Sequence, residues 1–267
     1  MLHRLPERIR SYWLWWVVGL AALGAFLAWP GSLAVKARLA LRGLCAQTPS
    51  HSFVFDGLLL PFDARMTGIY GGVLATLVLA LLRGRALAWG TPPRRVLALL
   101  AVGMLAMAVD GFNSLFVDLA LPHLYQPRND LRLLTGFAAG IALGAALVWL
   151  LGSSVYRAGR AEPVLGSLTD LAWLWLGFGP YAAVVRSGEG LLYAPLALML
   201  MASAWITMSI LSLVVVVLAL RLDARIVQPA RLHLPGAAAA VIGLGIMVLL
   251  AGGRAWLEAV LGISASP

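Results

Sequence analysis

At 267 residues, 61% of them hydrophobic and 12% charged, with a mean hydropathy of +0.91, the chain has more apolar surface than a soluble fold can cover. Its formal net charge of +9 would suggest nucleic acid in a soluble protein, but the 19 Arg and one Lys sit between apolar runs, where they anchor against anionic headgroups. The lipid bilayer is therefore the implied partner and nucleic acid is not.

Residues 1–11 form a basic head with Arg4, Arg8 and Arg10. Ser11–Trp29 is an apolar run of 19 residues that opens with Trp13, Trp15 and Trp16, long enough to span and with the aromatic cluster at headgroup level. A cleaved signal peptide is the rival reading, but the run is long for one. Ala28-Trp29-Pro30 is also a poor cleavage site, since such sites need small residues. We read it as a retained first helix. Leu33–Leu44 has a helical period that places Leu33, Ala37, Ala40, Leu41 and Leu44 on one side and Arg38 and Arg42 on another. This predicts an amphipathic helix, lying on the membrane surface or packed as a lid on the bundle.

Further spans are predicted at Thr67–Leu82, Val96–Val117, Arg132–Leu151, Leu165–Val185, Leu191–Leu220 and Pro235–Leu250. The expected fold class is an all-α polytopic membrane helix bundle of about seven transmembrane helices plus the surface amphipathic helix. Residues 1–163 hold four spans and a polar connection at 30–66, and residues 164–267 hold three more, the whole forming one integral membrane domain. The run near 30 residues must tilt, kink or project beyond the bilayer. Gly136, Gly140 and Gly144 repeat every four residues and predict a groove for close helix contact, as do Gly71 and Gly72. Arg4, Arg8, Arg10, Arg83, Arg85, Arg94, Arg95, Arg157, Arg160, Arg221, Arg225 and Arg231 fall on one side, 12 of the 20 basic residues. That bias predicts a cytoplasmic N-terminus and an external C-terminus. Arg-over-Lys and Ala-Gly-Leu usage has the style of GC-rich bacterial coding, so a bacterial inner membrane is the expected location.

Three polar segments fall at the external end in this topology. Leu44–Tyr70 holds Cys45, His51, Asp63, Arg65 and Tyr70, and residues 118–132 hold His123, Tyr125, Arg128, Asn129, Asp130 and Arg132. Asp110 and Asn113 lie in the span between, with Asp110 fifteen residues beyond Arg95, roughly 22 Å along a helix. A carboxylate at that depth is costly unless paired, hydrated or protonated. Asp110 is either a structural partner of Arg65, Arg128 or Arg132, or a functional group. Arg65, two residues before Thr67, has a stem long enough to reach it and is expected to make a two-pronged bond. Asp170 lies near the opposite surface, where it can be solvated or serve its helix start. Cys45, His51, Asp63 and His123 are four possible zinc ligands, but a Cys-x5-His spacing is weak support and no metal or other cofactor is expected. No G-x-S-x-G, P-loop, H-E-x-x-H or C-x-x-C-H string is present, so catalysis by those routes has no support.

At these residues the chain resembles a family of membrane proteins catalogued as domain of unknown function 2085. Cys45, Pro49, Ser52 and Phe53 match its first motif, and Pro61, Ala64, Arg65, Thr67, Gly68, Ile69 and Tyr70 its second. Asp110-Gly111 and Arg132–Gly136 match two later ones, so the resemblance covers roughly residues 40–150. The family pattern has a Cys-His pair and a C-A-R-C string, where this chain has Ala46, Asp63 and Met66. If those residues form a metal or thiol site in the family, one thiol of it is kept here. Carboxylate and thioether do not restore a soft tetrahedral set.

Two functions fit. One is a non-catalytic multipass protein, either an accessory subunit beside other membrane subunits or a binder of lipid or pigment. The other is a transporter or membrane enzyme using Asp110 with Arg65, Tyr70 and His123. Internal repeats or paired broken helices would favour a transporter. Pro180 and Pro195 interrupt apolar runs without a counterpart in the first half.

Overall fold

The computed structural model describes residues 13–155, 161–221 and 232–262. Its eight α-helices among the described residues are α1 (Trp13–Ala28), α2 (Leu33–Leu41), α3 (Ala64–Leu82), α4 (Arg94–Asp118), α5 (Asn129–Val155), α6 (Leu168–Ser187), α7 (Gly190–Ala219) and α8 (His233–Val260). Six of them, α3 to α8, are long and apolar enough to cross a membrane. The described part of α1 is 16 residues, about 24 Å. Residues 11 and 12 of the expected first span, like the basic head, lie outside the described residues.

Several spans run further than hydropathy predicts. α5 starts three residues before Arg132, and α8 continues ten residues past Leu250 through Gly252 and Gly253. Both extensions hold polar residues that find partners within the fold, so an apolar window underestimates the helices there. Pro195 sits near the start of α7, while Pro180 lies inside α6.

The tightest seam joins α3 and α5. Gly68 and Gly72 on α3 face Gly136 and Gly140 on α5, and the backbones meet. A Cβ on Gly140 would lie 2.2 Å from the carbonyl of Ile69, and one on Gly68 2.3 Å from that of Leu133. This is the groove expected from the four-residue glycine period. Gly71 has a different neighbour, the ring of Tyr181, whose hydroxyl donates to the carbonyl of Thr67 over 2.8 Å. Two apolar cores flank the seam. The first gathers Leu41, Phe55, Phe62, Tyr70, Leu196 and Leu200, and the second Val96, Phe137, Ile141, Val148, Leu165 and Leu174.

The connection from α2 to α3 holds a two-stranded antiparallel hairpin, β1 (Val54–Phe55) and β2 (Leu58–Leu59). Asp56 and Gly57 turn it with φ of +44° and +81°, as a two-residue hairpin loop with both central residues left-handed requires. Asp56 then holds the turn between α6 and α7: its amide donates to Gly188 O over 3.0 Å, and its carboxylate accepts from the amide of Gly190. This end of the bundle, with the hairpin and residues 119–128, is the hairpin end.

α2 packs one face inward. Ala37 and Leu41 are fully buried against the bundle, while Val35 and Leu39 stay exposed. α2 therefore lies on the bundle as an amphipathic helix, one face packed inward and the other open. At the opposite end Asp170 is buried; its Oδ2 accepts from the Gly166 amide and from Arg85, each over 2.8 Å, and its Oδ1 lies 3.6 Å from Arg83. Ser167 caps α6 beside it, so Asp170 serves its helix start and an ion pair.

Candidate functional site at the hairpin end

Asp110 lies on α4 two turns below the hairpin end, with 1% of its side chain accessible. Arg65, in the first turn of α3, reaches it with Nη2 at 2.6 Å from Oδ2. The same nitrogen lies 3.2 Å from the Asp110 carbonyl and 3.1 Å from Ser114 Oγ. Oδ1 accepts from the hydroxyl of Tyr125 over 2.8 Å. Thr135 Oγ1 on α5 is 3.4 Å from Oδ2, but its nearer acceptor is Leu131 O at 2.9 Å. Of the three arginines considered as partners, Arg65 is the one in place. The bond is not two-pronged, because Tyr125 occupies the second oxygen and the buried Nε of Arg65 has no partner among the described residues.

Tyr125 reaches down because Asn113 pins its backbone. Asn113 Nδ2 donates to Tyr125 O over 2.8 Å, and Asn113 Oδ1 accepts from the amides of Leu124 and Tyr125 at 2.8 and 3.3 Å. Burial, then the hydrogen bond to Asp110, pushes the Tyr125 phenol up to about 12, so it stays a donor at neutral pH.

A second polar group lies around Cys45. Its thiol is buried and 3.2 Å from Asp63 Oδ2, while Asp63 Oδ1 caps α3 by accepting from Met66 N over 2.9 Å. Asp63 is a strong N-cap residue, and the carboxylate favours the helix start. Burial, followed by the Asp63 charge, pushes the thiol up to about 12. The thiolate is the nucleophile and metal ligand. A maleimide at pH 8 should therefore label Cys45 at least a hundredfold more slowly in the folded protein than in denaturant. Elemental analysis should find no zinc. One zinc per chain, lost in Cys45→Ser, or equal labelling rates would overturn this.

The other expected residues divide. Asn129 joins α5 to the connection, donating towards Ser50 O and Ser52 O at 3.3 and 3.4 Å, and Arg132, buried, donates to Asn129 over 2.9 Å. His51 lies 3.8 Å from Asp118. Burial and then the Arg132 charge hold its imidazole below the usual histidine value. Tyr70 is buried and stacked on Phe62 with 4.7 Å between ring centroids. Arg128 is exposed and pairs with Asp130, and exposed His123 lies 3.1 Å from Gln126. Cys45, His51, Asp63 and His123 thus do not converge. Among the described residues no three His, Cys, Asp or Glu side chains form a metal-holding group.

One polar cluster has no trace in the expectations. Glu258, late in α8, bonds Arg42 and, over 2.6 Å, Arg254 Nε. Arg254 also donates to the carbonyls of Arg42, Cys45 and Ala46, closing the start of the α2–α3 connection. The i,i+4 spacing of Arg254 and Glu258 was the available signal.

Across residues 45–146 the sequence has the pattern that the geometry explains: an N-cap at 63, Arg65 opposite Asp110, and the glycine seam. Residues 45–146 match the family described as predicted membrane protein (DUF2085). No curated protein and no solved structure matches the chain. The DUF2085 segment runs from Cys45 through α3 and α4 to Ala146 in α5, so it holds both the Asp110 cluster and the Cys45–Asp63 pair. Where the family pattern has its further polar residues, Ala46 is exposed and offers only its carbonyl to Arg254, and Met66 packs on the first apolar core.

Proposed function

We propose that this chain is a non-catalytic multipass protein of a bacterial cell membrane, serving as an accessory subunit or as a module that binds a lipid or pigment. One observation carries this: both carboxylate oxygens of Asp110 are taken up by donors from its own fold, Arg65 and Tyr125. A carboxylate committed in this way braces α3, α4 and the α4–α5 connection; a transported ion or a substrate would first have to displace those donors. Consistent with a lateral contact, α4 turns Val102, Leu105, Val109 and Phe112 outward, each at least half exposed. Purification in mild detergent tests the proposal. A stoichiometric partner supports the subunit reading and an isolated monomer with a bound small molecule goes against it, whereas loss of a transport or enzymatic activity in Asp110→Asn at unchanged stability overturns the proposal.

The alternative, a transporter or membrane enzyme, is favoured by the Nε of Arg65, which lies beside that carboxylate and has no partner among the described residues. For orientation, the N-terminus is proposed to be cytoplasmic from the arginine bias. Reporter fusions should then place residues 50 and 126 outside and residues 90 and 228 inside. Residues 50 and 126 on opposite faces would remove the shared end.

A further inference from the structure

A crevice of about 670 Å³ opens between α1, α2, α7 and α8. That size is within the range of small-molecule sites. Apart from Lys36 and Arg42, every side chain lining it is apolar or aromatic, and the one indole at its floor, Trp205, already donates to Ala240 O over 2.9 Å. The hollow comes from small residues. At Gly19 on α1 and Gly252 on α8 an added Cβ would meet no atom within 4 Å, the reverse of the α3–α5 seam. These two glycines therefore make room without bringing helices together.

The crevice has a direction. It starts under α2 at the hairpin end and descends along α8 from Ala255 to Leu244, roughly 16 Å at 1.5 Å per residue, about one leaflet of a 30 Å hydrocarbon core. Its two charged lining residues are both cations, Lys36 on α2 and Arg42 just past its C-terminal end, and both lie at the end where a headgroup would lie. Lys36 Nζ donates to Leu27 O over 2.9 Å and sits 5.6 Å from the Phe26 ring centroid, which holds the ammonium at the rim. Arg42 and Arg254 share the single anion Glu258, so with Lys36 the rim carries a net charge of two positive.

We propose that the crevice holds an acyl chain of one anionic phospholipid, its phosphate set against Lys36. The charge at one end of an otherwise apolar slot, and a depth of one leaflet, select this amphiphile over a neutral molecule or a partner helix. The inference deepens the lipid-binding branch of the proposed function and rests on it. It is read from bound lipid and not from activity, so an activity traced to Asp110 would overturn that proposal and leave this result standing.

The test uses the full chain, purified in mild detergent and equilibrated with mixed micelles of equimolar phosphatidylglycerol and phosphatidylcholine. Native mass spectrometry counts retained lipid. The expected result is one phospholipid per chain, with phosphatidylglycerol preferred about fivefold, as one Lys near an anionic headgroup provides. Gly19→Leu with Gly252→Leu should lower retention at least tenfold at unchanged thermal stability. Lys36→Met should keep the lipid and bring the preference close to parity. It alone decides the matter if the filled variant fails to fold. Equal retention in wild type and filled variant would mean annular lipid only. That outcome overturns the proposal, as do equal preference in the wild type, a neutral molecule in the slot, or a copurifying polypeptide that fills it.

Discussion

Asp110→Asn and Arg65→Gln should each destabilise the detergent-solubilised protein by about 3 kcal/mol, and the double variant should lose little more than either single one. This is the low end of the 3–5 kcal/mol expected when one partner of a buried pair is removed. Arg65 keeps a quarter of its side chain accessible while Asp110 keeps 1%, so the stranded arginine can recover some solvent and the stranded carboxylate cannot. Arg65→Gln should therefore be the worse single change. Tyr125→Phe removes one neutral donor to the charged carboxylate and should cost about 2 kcal/mol. The cycle isolates coupling only if the singles make no new contacts, and Thr135 Oγ1, 3.4 Å from Asp110 Oδ2, is a hydroxyl in place to replace a lost donor. Thermal midpoints of the wild type and the four variants measure all of this. Strict additivity would show that the two charges are neighbours without being partners.

How much of that pair was legible follows from what sequence periodicity contains. Alternating spans place residues 44–70, Asp110 and residues 118–132 at one end by parity alone, and the structure joins them through Arg65, Tyr125 and Asn129. Arg65 could be preferred over Arg128 and Arg132 from its place two residues before Thr67 and the length of its stem. The one-pronged geometry of the bond needs the rotation of α4 about its own axis, which a nearly uniform apolar helix does not display. The second carboxylate bond was not legible either, because Tyr125 reaches Asp110 only once Asn113 has fixed the backbone of the connection. The hairpin had a local signal, Asp56-Gly57 between Val54-Phe55 and Leu58-Leu59, but strands of two residues are too short to show alternation. Arg254 and Glu258 close on Arg42 from the far end of the chain, a contact that only the packed bundle brings about. The glycine groove was legible from its four-residue period, since that period is itself the geometry of a helix face.

The larger expected effect lies in that groove. Gly140→Ala should cost about 3 kcal/mol or more, above the usual range for an added methyl in a packed core, and Gly140→Leu should abolish folded protein. The reason is what the new Cβ meets. At Gly140 it would come within 2.2 Å of the Ile69 carbonyl and 3.0 Å of Gly72 Cα, both backbone atoms in helical register that no rotamer change can move aside. Relief requires α3 and α5 to separate along their whole contact, which also draws Gly68 from Leu133 and Gly136 from Arg65, and so disturbs the start of α3 that carries Arg65 to Asp110. In a bilayer, burying the freed surfaces in lipid returns little, because helix association there depends on close van der Waals contact and not on escape from water. Gly252→Ala is the matched control. It adds the same methyl group to an apolar helix, meets nothing within 4 Å, and removes a glycine from a helix interior, so it should leave stability unchanged or raise it by up to about 1 kcal/mol. Thermal midpoints in the same detergent compare the two. If Gly140→Ala matched Gly252→Ala, the α3–α5 seam would be looser than its 2.2 Å approach implies, and the glycines would not be what holds the bundle together.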